Sequence, residues 1–255
     1  MKIGLLGVGH LAEYLVQGAS RADPAAVEFV LSPRSGAKAA RLAETYRCAV
    51  AESNQAVVDQ CDLVLVCLPA AEGLSVLQGL RFRDGQSVCS AMAGALIAPL
   101  RAAVAPAQAF CAMMPGFANA FSAGPSLLYP GDVEWQAFLA LLGPVHCFAE
   151  AEAFETAAVF GAMSGASIYF LRHLVRWYER QGLEPGMARA LVAETLRGNA
   201  EVLLQSDLGL DAIAVGVTTP GGITEQLVGI LDSRGALLAW DQAMDAVLSR
   251  MVPGR

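Results

Sequence analysis

The residues best suited to ligand binding form a glycine-rich turn near the start of the chain. Residues 7–12, GVGHLA, are a GxGxxA motif that follows the apolar run 2–8 and opens a segment of helical character. In a strand–turn–helix unit of this kind, the glycines permit the tight turn and let a pyrophosphate approach the backbone. The helix N-terminus then offers free N–H groups to the phosphates. The motif predicts a dinucleotide site with cofactor-binding residues Gly7, Gly9, His10, Leu11 and Ala12.

The end of the second predicted strand indicates which dinucleotide is bound. An NAD-binding chain usually has Asp or Glu there to hold the ribose 2′-hydroxyl. Here the chain reads Ser32-Pro33-Arg34-Ser35, and Lys38 follows one turn later. Hydroxyls and a guanidinium suit a 2′-phosphate. We therefore predict NADPH as cofactor with Ser32, Arg34 and Ser35 in its site, the alternative being a solvated loop with an ordinary surface arginine.

A second candidate site is the segment TTPGGIT, residues 218–224. Two glycines after a proline, flanked by threonines, make a loop whose backbone N–H groups and hydroxyls can hold a carboxylate. The alternative is a simple turn between helices, in which Thr224 caps the next helix.

The elements that position these residues alternate in type over the first 150 residues. Apolar runs at 2–8, 27–31, 62–67, 87–91, 110–113 and 145–148 indicate strands, and segments such as 11–19 and 37–46 between them are helical in pattern. This alternation predicts βαβ units and a parallel sheet. Beyond residue 150 the chain reads as helix, with turns at 181–186 and 218–222 and long helices over 156–180 and 185–205. The predicted fold class is α/β, with a Rossmann-type parallel-sheet domain at residues 1–150 and an all-α domain at 151–255.

Composition narrows the class of partner and the location. A net charge of −7 and no run of Lys or Arg argue against nucleic acid. Prolines and glycines interrupt each long uncharged stretch, and Gly161, Ser164 and Gly165 break the stretch 156–171, so we expect no membrane span and no signal peptide. The six cysteines form no CxxC pair and have no histidine at metal-ligand spacing, which predicts buried free thiols, no metal site and a cytoplasmic location.

Taken together, these motifs resemble the Δ1-pyrroline-5-carboxylate reductases, and the resemblance covers nearly the whole chain. VTTPGGIT followed by LVGILDSRG is similar to the family's substrate-loop pattern, and the GxGxxA turn is similar to its start. Further matches, in order and with few gaps, are Arg34-Ser35, Asn54, Pro69, Ala93-Gly94, Met114-Pro115, Tyr169, Gly182-Leu183, Thr195 and Gly198.

The resemblance implies hydride transfer from NADPH to the C=N carbon of a cyclic imine, as in proline biosynthesis. It implies a homodimer through interlocked C-terminal helices, and allows a higher assembly of dimers. It also implies that Thr219, Gly222, Ile223 and Thr224 bind the substrate carboxylate, with the Thr224 hydroxyl next to the ring nitrogen as the catalytic group. To the cofactor site it adds Asn54, Leu68, Pro69, Ala93 and Gly94.

The chain departs from the family pattern around the nicotinamide and the imine. Leu68 replaces the family's lysine, and Ala112 replaces its arginine. The family's Met-Pro-Asn-Thr-Pro loop reads Met114-Pro115-Gly116-Phe117-Ala118 here, and Asn119 is a candidate to replace the missing asparagine. We therefore expect a substrate other than pyrroline-5-carboxylate, namely a bulkier or less charged cyclic imine that suits Gly116 and Phe117.

Two other classes of function stay open at this point. One is a non-catalytic NADP-binding sensor or partner protein. The other is a dehydrogenase acting on C–O bonds, which would need a Lys or His as acid and base. The chain has no lysine after Lys38, and His173 lies beside Arg172 on a predicted solvated helix face, so the second class is disfavoured.

Overall fold

The computed structural model describes residues 1–252, apart from the side chain of Ser35, and these residues form two compact units. The first unit comprises Met1–Ala162 and the segment that begins at Leu248; the second is Met163–Val247. The first unit extends past residue 150. The division into domains 1–150 and 151–255 stays a prediction.

One eight-stranded sheet lies in the first unit. Its strands are β1 Lys2–Leu6, β2 Glu28–Leu31, β3 Ala49–Val50, β4 Leu63–Val66, β5 Ser87–Ser90, β6 Gln108–Met113, β7 Ser126–Tyr129 and β8 Val145–Cys147. The central strands β4 and β5 are buried at every residue. Continuous burial is what parallel strands covered on both faces require, and it explains why β4, with the sequence LVLV, is an unbroken apolar run rather than an alternating one.

The strand order places the carboxyl ends of β1 and β4 side by side. The order across the sheet is β3-β2-β1-β4-β5-β6-β7-β8, and the first six strands are parallel. The chain moves outward from β1 in one direction through β2 and β3, then crosses back to β4 and continues in the other. This reversal is the topological switch point at which α/β sheets bind ligands.

The last two strands add one antiparallel pairing to the predicted parallel sheet. β7, which was not predicted, pairs antiparallel with β6, and β8 pairs parallel with β7. A parallel return needs a crossover, usually a helix. After β6 the chain instead forms a short 3-10 turn, Phe117–Phe121, that packs on the first helix of the chain, and it returns in the opposite direction.

Twelve α-helices complete the part of the chain described. They are α1 His10–Ala22, α2 Gly36–Tyr46, α3 Asn54–Gln60, α4 Ala70–Gln78, α5 Ile97–Val104, α6 Val133–Ala140, α7 Ala151–Ala157, α8 Phe160–Arg180, α9 Pro185–Gln205, α10 Leu210–Gly216, α11 Ile223–Ser233 and α12 Ala236–Met251. A second 3-10 turn spans Pro33–Ser35 between β2 and α2.

Helix α1 shows how the sequence fixes an element that carries the site. Its buried residues include Ala12, Leu15, Val16 and Ala19, which follow the i, i+3, i+4, i+7 spacing of one helix face. Gly18 lies on the side that meets the 3-10 turn Phe117–Phe121. A Cβ at Gly18 would lie only 2.1 Å from the carbonyl oxygen of Asn119, so any larger residue would push the turn away from α1.

The core of the first unit consists of two clusters of buried apolar side chains. One joins α1 to Trp135 and Phe138 of α6, whose rings meet edge to face. Trp135 also donates its indole N–H to the hydroxyl of Ser87 in β5 at 2.7 Å, so this large buried side chain leaves no polar atom unpaired.

The second unit buries far fewer apolar side chains. Among the described residues, α8, α10, α11 and α12 contain no buried residue, and α9 contains only Ala188 and Val192. Leu204 and Ile223 are 81% and 86% exposed. Exposed apolar surface on this scale marks a surface for association.

One stretch has the length and composition of a membrane span. Ala151–Arg180, which holds α7 and α8, reaches a mean hydropathy of 1.2 over its most apolar window. Gly161, Ser164 and Gly165 therefore do not lower the hydropathy of this stretch enough to exclude a membrane span by length and composition. A single stretch of this kind is weak evidence for a membrane span, because a core helix of a soluble protein can have the same length and composition.

Candidate dinucleotide and substrate sites

The GxGxxA turn lies at the switch point between β1 and β4. Gly7 has a φ of +93°, and a Cβ there would lie 2.8 Å from the carbonyl oxygen of Cys67 at the end of β4. Both the backbone conformation and the close approach of the two strand ends therefore require glycine. Ala12 lies on the buried face of α1 and is fully buried, as close packing of helix on strand requires.

Gly9 differs from Gly7 because the protein itself does not require a glycine there. It caps α1 with an extended backbone, φ −90°, and a Cβ at Gly9 would meet no atom of another described part of the chain within 4 Å. The space in front of Gly9 is open and faces the N-terminus of α1. A small residue here keeps the helix N–H groups accessible to an anion.

The residues after β2 have distinct roles. Ser32 is 1% exposed, and its hydroxyl accepts a hydrogen bond of 2.9 Å from the N–H of Gly7. Ser32 thus ties the end of β2 to the glycine turn. Lys38, one turn further along the chain, pairs with Glu13 of α1 at 3.8 Å and is not among the described residues that line the cleft.

Arg34 carries the positive charge at this end of the cleft. Its side chain is 68% exposed, and its guanidinium lies 3.2 Å from the carboxylate of Glu72 in the first turn of α4. Both residues line the same cleft.

A cleft of about 640 Å³ joins the turn, the end of β2 and the end of β4. Ten of the thirteen residues predicted to bind the cofactor line it: Gly7, Gly9, His10, Leu11, Ser32, Arg34, Asn54, Leu68, Pro69 and Ala93. Residues scattered over almost ninety positions of sequence therefore meet at one edge of the sheet. Their role in binding cofactor stays a prediction.

Three of the predicted cofactor residues do not line this cleft. Ala12 is buried beneath it, and the side chain of Ser35 lies outside the part of the structure described. Gly94 has a φ of +77° and lines a separate small cavity beside Met251.

Several residues of the cleft were not predicted from the sequence: Val8, Cys67, Ala70, Glu72, Ala91 and Met92. Glu72 is the informative omission, since it is an acidic residue in the first turn of the helix after a predicted strand. That placement is detectable in sequence, but its pairing with Arg34 is not.

Cys67 is the one cysteine among the described residues that line the cleft. Burial raises the pKa of Cys67 to about 12, which keeps the thiol neutral at physiological pH. Burial likewise raises the pKa of Cys48 to about 11 and of Cys111 to about 12. Cys48, Cys61, Cys89 and Cys111 are buried as predicted, Cys67 is half-buried, and Cys147 is exposed.

Asn119 is not the replacement for the family's asparagine. It is fully buried, its side-chain oxygen accepts from the N–H of Gly116 at 3.0 Å, and its amide donates to the carbonyls of Gly124 and Leu142. These bonds occupy the whole side chain in holding the 3-10 turn, so the expectation that it compensates is wrong. Phe117 in the same turn is 60% exposed, and its ring centroid lies 4.9 Å from that of Tyr14 in α1, with the two ring planes tilted by 36°.

The TTPGGIT segment lies in the second unit and forms the entry to α11. Gly221 has a φ of +74°, and Gly222 caps the helix without a side-chain bond. Thr224 lies one residue inside the helix, so the alternative in which it caps α11 is wrong. The N–H of Gly221 donates to the carboxylate of Glu225 at 2.7 Å, and the N–H of Gly222 donates to the carbonyl of Thr219.

A parallel sheet in the order 3-2-1-4-5-6, with a glycine turn at its switch point, defines the Rossmann class of folds, which binds dinucleotides at that turn. Residues 2–94 match the family described as NADP oxidoreductase, coenzyme F420-dependent, and residues 150–252 match pyrroline-5-carboxylate reductase dimerisation.

Known proteins resemble the chain over its whole length. Pyrroline-5-carboxylate reductase 1 of Bacillus spizizenii is 23% identical, with 98% of this chain and 88% of that protein covered. The crystal structure of 1-pyrroline-5-carboxylate reductase from Streptococcus pyogenes superposes with a TM-score of 0.85 at 23% identity, covering 98% of each chain. The Plasmodium falciparum pyrroline carboxylate reductase with NADP bound gives 0.86 at 17% identity, covering 98% and 97%. Residues 150–252 thus match the dimerisation domain of the pyrroline-5-carboxylate reductase family, and the whole chain is similar to reductases of that name at 22–26% identity.

Proposed function

We propose that this chain is an NADPH-dependent reductase that transfers hydride to the C=N bond of a cyclic imine and forms a proline-type cyclic amine. The observation that carries the proposal is the cleft at the β1/β4 switch point, with the open glycine Gly9 at one end and Arg34 at the other. Similarity to the pyrroline-5-carboxylate reductases supports the choice of reaction.

The residues of the cleft fit a phosphorylated dinucleotide. The N-terminus of α1, kept open by Gly9, suits the pyrophosphate, and the Arg34 guanidinium suits the 2′-phosphate at the end of β2. Asn54, Leu68, Pro69 and Ala93 complete the walls of the proposed site. The cofactor supplies the hydride, and these residues bind and orient it.

The proposed substrate site is the entry to α11, with Thr219, Gly222, Ile223 and Thr224. A protonated imine is already electrophilic, so holding its carbon about 3–3.5 Å from the hydride donor supplies much of the rate without a strong acid or base. The Thr224 hydroxyl, proposed beside the ring nitrogen, would hold the imine proton in place. This chemistry agrees with a chain whose last lysine is Lys38.

Two observations favour a substrate that carries less charge than pyrroline-5-carboxylate. The carboxylate of Glu225 already accepts the N–H of Gly221, so the loop presents its own negative charge where a substrate carboxylate would need donors. Leu68 and Ala112, at positions where the family has cations, are both buried apolar residues. Phe117, exposed beside Gly116, suits a bulkier ring.

The exposed apolar helices of the second unit favour a homodimer, with the partner subunit covering side chains such as Leu204 and Ile223. An assembly of several dimers is part of the proposal. We also propose a cytoplasmic location, on the basis of free cysteines and relatives of bacterial origin.

The test follows NADPH oxidation by absorbance with purified protein and a panel of cyclic imines. The panel contains pyrroline-5-carboxylate, pyrroline-2-carboxylate, a piperideine carboxylate and uncharged pyrrolines, with NADH in parallel. Turnover of at least one imine, faster with NADPH than with NADH, is the expected result. NADPH binding without turnover of any member would contradict the proposal and favour a dinucleotide sensor.

A further inference from the structure

The cleft contains one ion pair, between the two charged side chains that face each other across it. The Arg34 guanidinium and the Glu72 carboxylate are 3.2 Å apart, with side chains 68% and 56% exposed. Among the residues described along the cleft, Arg34 is the one arginine or lysine and Glu72 the one carboxylate. The cation expected to read the cofactor therefore already has an anionic partner.

The positions of the two residues indicate that a bound ligand can displace Glu72 from Arg34. Arg34 lies in the turn after β2, where the 2′ position of a dinucleotide ribose is read. Glu72 lies in the first turn of α4, where the helix N-terminus stabilises a carboxylate without any need for Arg34. Both side chains are exposed, and exposed ion pairs of this kind are weak enough to be displaced.

We propose that Glu72 reduces the preference of this chain for NADPH over NADH by competing with the 2′-phosphate for Arg34. The inference rests on the proposed function, since it concerns the dinucleotide of that reaction. A 2′-phosphate that reaches Arg34 must take the place of the Glu72 carboxylate, and the two anions then lie close enough to repel. A 2′-hydroxyl meets neither obstacle, so Glu72 weakens binding of NADPH and leaves NADH almost unaffected.

The expected size of the effect follows from the exposure of the pair. Two unit charges a few ångströms apart at a protein surface, screened by water, change a binding constant by about three- to tenfold. Removing the charge of Glu72 therefore tightens binding of 2′-phosphorylated ligands by about that factor.

The test uses calorimetric titration of the full-length chain with adenosine 2′,5′-bisphosphate and with adenosine 5′-monophosphate, which differ only in the 2′-phosphate. The variants are Glu72→Gln and, as matched control, Glu134→Gln, an exposed glutamate in the first turn of the eight-residue helix α6 that does not line the cleft. Glu72→Gln is expected to lower the Kd of the bisphosphate three- to tenfold, with the monophosphate and the control unchanged within about twofold.

An equal change for both ligands, or no change for either, overturns the competition. Arg34→Gln provides the second check, because on that background Glu72→Gln is expected to alter the Kd of the bisphosphate by less than about twofold. If Glu72→Gln still lowered the Kd of the bisphosphate three- to tenfold on the Arg34→Gln background, the inference would also be contradicted. The proposed function fails separately, if the wild-type chain binds the bisphosphate no better than the monophosphate or reduces no imine.

Discussion

The two candidate sites of this chain use their free backbone N–H groups in opposite ways. At the glycine turn of α1, Gly9 leaves open space before the helix N-terminus, and no side chain among the described residues caps it. At the entry to α11, the N–H of Gly221 is already bonded to Glu225. The first arrangement suits an anionic cofactor, whereas the second has its own anion and discourages an anionic substrate. We propose that, relative to the pyrroline-5-carboxylate reductases that the chain resembles, the cofactor site is retained and the substrate site is changed.

The sharpest way to break this comparison is to close the open space at Gly9. Gly9→Ala adds a Cβ that meets no atom of another described part of the chain within 4 Å, so the fold is expected to survive, with Tm unchanged within about 2 °C. Binding of NADPH is expected to weaken at least tenfold, or about 1.4 kcal/mol, because the pyrophosphate loses its approach. Fluorescence titration and thermal unfolding measure the two effects.

Gly7→Ala is the contrasting variant. Its positive φ and the 2.8 Å approach to Cys67 predict a loss of about 2 kcal/mol in the free energy of unfolding. If Gly9→Ala bound NADPH as tightly as the wild type, the assignment of the turn to pyrophosphate would be wrong.

At the substrate site, Thr224→Val tests the proposed hydroxyl beside the imine nitrogen. Removing one hydrogen bond to the reacting group is expected to lower kcat/KM by about tenfold, with the Kd of NADPH unchanged. Thr218→Val is the matched control, because the Thr218 hydroxyl donates to the carbonyl of Ala214 and plays no proposed part in binding. Equal losses in both variants would assign Thr224 a merely structural role.

Glu225→Gln tests whether the negative charge at the entry to α11 disfavours an anionic substrate. The variant removes a negative charge from the loop and keeps an acceptor for the Gly221 N–H. We expect kcat/KM for pyrroline-5-carboxylate to rise about three- to tenfold, while an uncharged pyrroline changes by less than about twofold. Glu194→Gln, an exposed glutamate of α9, is the control. An equal change in kcat/KM for both imines would show that the charge of Glu225 does not explain the effect.

The smallest effect concerns the thiol in the cofactor cleft. A pKa of about 12 keeps Cys67 protonated, so its alkylation is expected to be slow between about pH 7 and 9 and to accelerate only as pH rises toward 12. Cys147, which is exposed, should react first, as peptide mass spectrometry after a timed iodoacetamide pulse will record. Rapid alkylation of Cys67 at neutral pH would show a cleft more open or more cationic than described.

The sequence was most informative at positions where a single physical requirement selects the type of residue. The glycine turn, the apolar strands β1 and β4 and the long helices α8 and α9 follow from spacing and periodicity. Local patterns could not reveal β7, whose antiparallel direction depends on the packing of the 3-10 turn against Gly18. They also could not show that the Asn119 amide donates to the carbonyl of Leu142 or that Lys38 pairs with Glu13, since both contacts join residues distant in sequence.

The same limit explains the charged residues of the two sites. Arg34 was identifiable from its place after β2, yet its partner Glu72 lies thirty-eight positions further along the chain. Glu225 follows the TTPGGIT motif directly, and only the structure shows its carboxylate bonded to Gly221. In both cases the residue type was visible in the sequence and the partner was not.

The most direct test of the account compares kcat/KM of the wild-type chain, with saturating NADPH, for an uncharged cyclic imine and for pyrroline-5-carboxylate. A retained cofactor site with a changed substrate site predicts that the uncharged imine is reduced at least about tenfold more efficiently, a difference of about 1.4 kcal/mol in transition-state stabilisation. Equal or faster reduction of pyrroline-5-carboxylate would contradict the account, and the differences at Leu68, Ala112 and Glu225 would then be tolerated variations in an ordinary member of the family.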